Sequence, residues 1–167
     1  MMTKYLLDTN VFIQASNREY GFDVCPGFWD WLIEKNQSGL VASIGKVAEE
    51  IRKDEPLVAW VRERGNGFFL EEDDAMMGKL QVVSRWATSK GYKNEALRKF
   101  FKGADYYLIA YALAHDYIVV THEVYSRNNK SIKIPNVCEG LRLRCMNPYK
   151  MLRQEKVRLI LDRASLL

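Results

Sequence analysis

Apolar positions along this chain fall into short unbroken runs and helical stripes, and the two alternate. Tyr5-Leu6-Leu7, Leu40-Val41-Ala42-Ser43 and Tyr117-Ile118-Val119-Val120-Thr121 are too short for helices, and they predict buried strands at 4–8, 40–43 and 117–121. Between them the period changes to that of a helix. Residues 9–16 read as a helical turn or two, with Asp8 or Thr9 available as cap. Pro26 opens a helix with Phe28, Trp31 and Leu32 inward, and Gly39 stops it. Ile44, Val47, Ala48 and Ile51 share one face of the next helix, and Leu57, Trp60 and Val61 share one face of a helix opened at Pro56. Residues 68–70 read as a strand or a buried connector. The run Glu71-Glu72-Asp73-Asp74 precedes a long helix to about Ser89, where acidic residues complement the dipole. A short helix at 95–101 leads to an almost wholly apolar helix at 104–115. Ile132, Ile134 and Val137 predict a last strand pair around Pro135, and 148–163 predicts a basic, amphipathic C-terminal helix. Strands separated by helices imply an α/β fold with a parallel sheet and right-handed crossovers. With no repeat, low-complexity tract or linker, the expectation is one domain over residues 1–167.

Composition narrows this picture only a little. The chain is 48% hydrophobic and 28% charged, which is ordinary for a globular domain. No apolar run approaches a membrane span and Met1-Met2-Thr3-Lys4 shows no signal pattern, so the expectation is a cytoplasmic protein with no membrane contact. Cys25, Cys138 and Cys145 lack CxxC spacing and read as reduced thiols, and two histidines argue against a structural zinc site. The aromatics Trp29, Trp60 and Trp86 read as core or as interface, and a homodimer stays open.

Charge is distributed unevenly. From Ser126 onward ten Lys/Arg face three acidic residues, a net of +7, while the preceding 125 residues hold 15 basic and 18 acidic side chains, a net of −3. An acidic half beside a basic tail suits a polyanionic substrate, although the tail alone reads equally well as a solvated face.

Four acids stand in distinctive places. Asp8 directly follows the first strand, Glu123 follows the strand at 117–121, Asp105 opens the apolar helix, and Glu50 flanks the apolar stripe of the helix after the second strand. Glu49 points nearly opposite that stripe and reads as solvated. In a parallel α/β sheet, sites form beyond the carboxyl ends of the strands, where these residues converge if the helix at 104 leans across the edge. Three of the four have a plain alternative: Asp8 and Asp105 as helix caps, Glu123 as a surface residue. A converged set repels itself in water-poor surroundings and therefore implies divalent metal ions and a metal-dependent nuclease.

On these residues the chain resembles a PIN-like domain. Tyr5-Leu6-Leu7-Asp8-Thr9-Asn10-Val11-Phe12, Val47-Ala48-Glu49-Glu50-Ile51, Ala104-Asp105-Tyr106-Tyr107-Leu108-Ile109-Ala110-Tyr111-Ala112 and Ile118-Val119-Val120-Thr121-His122-Glu123 resemble the family's four acidic motifs in order, across residues 4–140. Asp23-Val24-Cys25-Pro26-Gly27-Phe28-Trp29 and Ile134-Pro135-Asn136-Val137-Cys138 resemble a bacterial PIN-like branch of unassigned function. The resemblance implies a three-layer α/β/α sandwich and an endoribonuclease using Mg²⁺ or Mn²⁺ on Asp8, Glu50, Asp105 and Glu123. It also implies a toxin held by a cognate antitoxin. Glu123 stands where many relatives carry Asp, which leaves metal number open.

The expected reaction is hydrolysis of RNA phosphodiester bonds. Asn10 and Thr121 would hold carboxylates or a phosphate oxygen by hydrogen bonds, and Arg127 and Lys130 would grip the RNA backbone. Tyr125 is placed to stack a base or to pack on its loop, and His122 to make an accessory contact. Two rivals remain. A haloacid-dehalogenase-type phosphatase also begins with Asp after its first strand, but needs a second acid where this chain has Asn10. A non-catalytic PIN-like module would bind RNA or a partner protein.

Overall fold

The computed structural model describes the backbone of residues 2–166 and side chains through 164. In chain order the elements are β1 (Tyr5–Leu7), α1 (Thr9–Gln14) running into a π-helical turn (Ala15–Glu19), α2 (Pro26–Gln37), β2 (Val41–Ile44) and α3 (Gly45–Glu50). There follow α4 (Glu55–Phe68), β3 (Phe69–Leu70), α5 (Asp74–Thr88), α6 (Asn94–Lys102) and α7 (Ala104–His115). The chain closes with β4 (Ile118–Val120), α8 (Ile134–Gly140), β5 (Cys145–Met146), α9 (Pro148–Gln154) and a 3₁₀ turn (Arg163–Leu166).

All five strands are parallel, in the order β3-β2-β1-β4-β5. Helices cover both faces, giving the three-layer α/β/α, PIN-like fold. The central strands β1 and β4 are buried on both sides, which is why their sequences are unbroken apolar runs instead of alternating ones. Their register pairs Tyr5 with Ile118 and Leu7 with Val120. The chain goes from β1 to β2 on one side, and later from β4 to β5 on the other. The strand order therefore reverses between β1 and β4, and a crevice opens there beyond their carboxyl ends.

Packing differs on either side of this seam. An aromatic cluster joins Phe12, Trp29, Trp60, Phe68 and Phe69, with Trp29 and Trp60 in edge contact at 5.1 Å between centroids. Trp29 and Trp60 are thus core residues; Trp86 is half-buried. Elsewhere α7, with Leu108, Ile109, Ala110 and Ala112 fully buried, lies among α3, α5, α6 and α8 and carries its N-terminus to the seam.

Two expectations fail. The strand pair around Pro135 is instead α8, with Pro135 in the first turn. Ile132, Ile134 and Val137 are all buried but on a helix and its lead-in, so their spacing misled. The C-terminal helix stops at Gln154 instead of running to 163. Lys156 adopts left-handed backbone (φ 54°), Val157 N–H bonds Leu152 C=O at 2.9 Å, and Lys156 N–H bonds Arg153 C=O at 3.1 Å. That pair of bonds is a Schellman termination, here without glycine. The same device, again on non-glycine residues, ends α8 at Arg142 (φ 56°), and a left-handed Asp116 (φ 57°) ends α7.

Candidate active site

Asp8 is the first residue past β1 and caps α1: its Oδ1 accepts the Thr9 N–H at 2.7 Å. Its Oδ2 accepts the hydroxyl of Thr121, the first residue past β4, at 2.8 Å. The two central strands are thus joined at their carboxyl ends through a carboxylate that is 3% exposed. The Thr121 Oγ1 in turn accepts from Asn10 Nδ2 at 3.2 Å and from the Glu123 N–H at 3.0 Å, and Asn10 Oδ1 accepts the His122 N–H at 3.1 Å. Asn10 and Thr121 thus form the polar frame around Asp8.

Glu50 reaches the seam from the end of α3. Its Oε2 accepts the Thr9 hydroxyl at 2.7 Å and its Oε1 accepts the Ala104 N–H at 3.0 Å. It therefore caps α7 from another helix, a place the local backbone leaves open because the capping residue is Gly103. Asp105 does not cap its own helix. It sits in the first turn of α7, partly exposed, and no described residue donates a hydrogen bond to its carboxylate.

A cavity of about 430 Å³ brings together Asp8, Asn10, Glu50 and Asp105, with Arg18 of the π-helical turn on its rim. Glu123 does not line it. Its Oε2 accepts the Ile134 N–H at 2.7 Å, capping α8, and its Oε1 meets Lys133 Nζ at 3.4 Å. It lines a separate groove with His122 and Tyr125.

The acids nonetheless feel one another. Burial foremost, then the charges of Glu123 and Glu50, push the Asp8 carboxyl up to about 7 against the bonds from Thr121 and Thr9. Burial, then the charges of Asp8, Glu123 and Glu50, push Asp105 up to about 8, with Lys133 opposing. All-oxygen donors of this kind suit Mg²⁺ or Mn²⁺. Among the described residues no three Asp, Glu, His or Cys side chains converge tightly enough to hold an ion as they stand, since Glu50 and Glu123 are turned to helix N-termini.

Arg127 and Lys130 are exposed, and neither lines the acid cavity; Arg127 borders the grooves beyond Glu123. Besides Arg18, two further cations stand beside the acids: Lys99 and Lys133 share a cleft of about 220 Å³ with Glu50 and Asp105. Sequence reasoning missed both. Lys133 is the capping residue of α8, and a correct helix assignment there was the signal that could have found it.

A family model matches residues 5–159, and its description is a domain of unknown function (DUF4411). The chain belongs to that family. No curated protein matches the sequence. Among solved structures, this DUF4411 chain is similar to VapBC2 from Rickettsia felis bound to a DNA fragment from their promoter, at 14% identity and a TM-score of 0.51. It is also similar to FitAcB from Neisseria gonorrhoeae, at 18% identity and a TM-score of 0.51. Each similarity covers 87% of the DUF4411 chain and 98% of the other. At such identities the likeness is one of fold, in agreement with the PIN-like resemblance of the motifs.

Proposed function

We propose that this protein is a Mg²⁺- or Mn²⁺-dependent endoribonuclease that hydrolyses RNA phosphodiester bonds, with Asp8 and Asp105 at its centre and Glu50 and Glu123 beside them. One observation carries the reading. Two carboxyls at the switch point of a parallel sheet are driven up to about 7 and 8 by burial and by neighbouring carboxylates. Such a grouping costs stability, which favours a functional site over a purely structural cluster.

Asp8 and Asp105 would hold the ion, with Glu50 and Glu123 completing its surroundings. Bound there, a divalent ion supplies a water of lowered pKa and stabilises charge at the phosphoryl group. The chain's own part is orientation. The Thr121 hydroxyl and Thr9 N–H fix both oxygens of Asp8, and Asn10 braces Thr121. The Thr9 hydroxyl and Ala104 N–H fix Glu50. Lys99, Lys133 and Arg18 stand around the acids, positioned to attract a phosphate that the carboxylates alone would repel. In this reading the protein is one domain, works in the cytoplasm and is the toxin of a pair whose second member is a protein antitoxin. That last part extends the PIN-like resemblance and the fold shared with VapBC2.

A second reading has its own support. Glu50 and Glu123 both serve as helix caps, and no three-acid group converges among the described residues, as a non-catalytic module binding RNA or a partner protein would allow. The deciding experiment is cleavage of a labelled mixed-sequence single-stranded RNA in Mg²⁺, Mn²⁺ or EDTA. Wild type is run beside Asp8→Asn and Asp105→Asn. Metal-dependent cleavage lost in both variants is expected; a folded wild type that neither cleaves nor binds Mn²⁺ leaves the binding module.

A further inference from the structure

The long loop from β4 to α8 is braced and yet presents apolar side chains. Asn136 holds it at both polar atoms: Oδ1 accepts the Ser126 N–H at 3.0 Å and Nδ2 donates to Ser126 C=O at 2.6 Å. Asn128 bonds Ser126 Oγ and the Lys130 N–H, and Asn129 C=O accepts the Lys93 N–H at 3.0 Å. These bonds keep Val124 at 75% and Tyr125 at 54% exposure, directly after Glu123. An aromatic ring left more than half exposed beside a pinned loop suits a binding surface.

Beside this loop lies a cavity of about 520 Å³ walled by Trp86, Tyr92 and Tyr125, with Lys90, Arg127 and Asn129 at its margin. Trp86 and Tyr92 are 6.1 Å apart between centroids, and Lys90 Nζ lies 5.7 Å from the Trp86 ring. A Cβ at Gly140 would overlap the Trp86 indole, so that glycine is what lets the ring lie against the end of α8. The buried Trp86 N–H has no hydrogen-bond partner among the described residues. Neither Lys90 nor Arg127 forms an ion pair with a described residue, and Glu139 is the single acid of the lining. Three aromatic rings, two cations without an ion-pair partner among the described residues and an amide match a nucleobase with its phosphate. Tyr125 and Arg127 line both this cavity and the groove that contains Glu123, so the two adjoin.

We propose that this cavity is a nucleobase subsite. A single-stranded RNA leaving the acid edge passes its backbone over Arg127 and lays a base against Tyr125 and the Trp86–Tyr92 wall. The subsite rests on the RNA reading above for the polymer it takes, and its test separates the two. Affinity for a short labelled single-stranded RNA, and for the same strand with one abasic nucleotide, is measured by anisotropy in EDTA. The proteins are Asp8→Asn, Asp8→Asn/Tyr125→Ala and Asp8→Asn/Tyr125→Phe, so cleavage cannot intrude. Tyr125→Ala is expected to weaken the intact strand about tenfold and to abolish its advantage over the abasic one, while Tyr125→Phe stays within about twofold of its parent. Equal affinity with and without the ring, or no RNA binding at all, overturns the subsite even if the wild-type enzyme cleaves RNA. Ring-dependent binding by a protein whose wild type never cleaves would leave the subsite standing and remove the nuclease.

Discussion

Asp105→Asn should make the metal-free protein more stable, and increasingly so as pH rises. The Asp105 carboxyl is raised from 3.8 to about 8 by burial and by the charges of Asp8, Glu123 and Glu50. For a carboxyl raised on folding, the folded state keeps its proton while the unfolded chain has already released its own. Its stabilising contribution is complete below pH 3.8 and is lost progressively as pH climbs through about 8. At about 1.4 kcal/mol per pK unit, the cost approaches about 2 kcal/mol near pH 5 and has a ceiling of about 6 kcal/mol near pH 9. Asp8 titrates against the same neighbours, so the two share part of that ceiling. A pH-dependent gain of at least about 2 kcal/mol between pH 5 and pH 9 is therefore expected. For a chain of 167 residues that is at least about 4 °C in Tm. Differential scanning fluorimetry of wild type and Asp105→Asn in EDTA, stepped across this range, reads the effect directly. Added Mn²⁺ should raise the Tm of wild type and leave the variant where it was, because binding to the folded state alone stabilises by mass action. A Tm difference that stays constant with pH, or a variant that melts below wild type at the alkaline end, would refute the electrostatic account of the cluster.

Two further substitutions test the frame around these acids. Thr121→Val keeps the shape but removes the hydroxyl that donates to Asp8 and accepts from Asn10 and the Glu123 N–H. A loss of about 1–3 kcal/mol in urea unfolding is expected, and an unchanged midpoint would show that the bridge between the strand ends carries no stability. Glu50→Ala removes the cap on Ala104 N–H and the partner of the Thr9 hydroxyl. Measured near pH 5, where Asp8 and Asp105 hold their protons, it should cost about 0.5–2 kcal/mol, with Glu50→Gln recovering most of that.

The chain announces its local structure where one physical cause dominates. β1 and β4 are legible because a strand buried on both faces must be apolar throughout, and Asp8 is legible because it is the first residue past such a strand. α7 is legible from length as well as burial: its almost wholly apolar stretch spans 12 residues, too long for a strand. Helix ends were harder. Asp116, Arg142 and Lys156 all adopt left-handed backbone where glycine would have been the visible signal, so the end of α9 was misplaced. α8 was misread because its start is stabilised from outside, by the Glu123 carboxylate on the Ile134 N–H.

The acids show the same division. Their types and positions relative to strands and helices are properties of the sequence, and so is the parallel order that sends them toward one edge. Their individual duties are not. Glu50 caps a helix that begins 54 positions further along, and Lys133, which the chain places 28 positions beyond Asp105, is the cation that offsets it. A helix N-terminus offers orphan N–H groups to whatever carboxylate lies nearest in space, and a charge is screened or exposed by what packs around it. Periodicity along the chain encodes burial, so the sequence alone determines most of the elements and the layers they form. Proximity across the chain decides partners, and it exists only once the layers have closed.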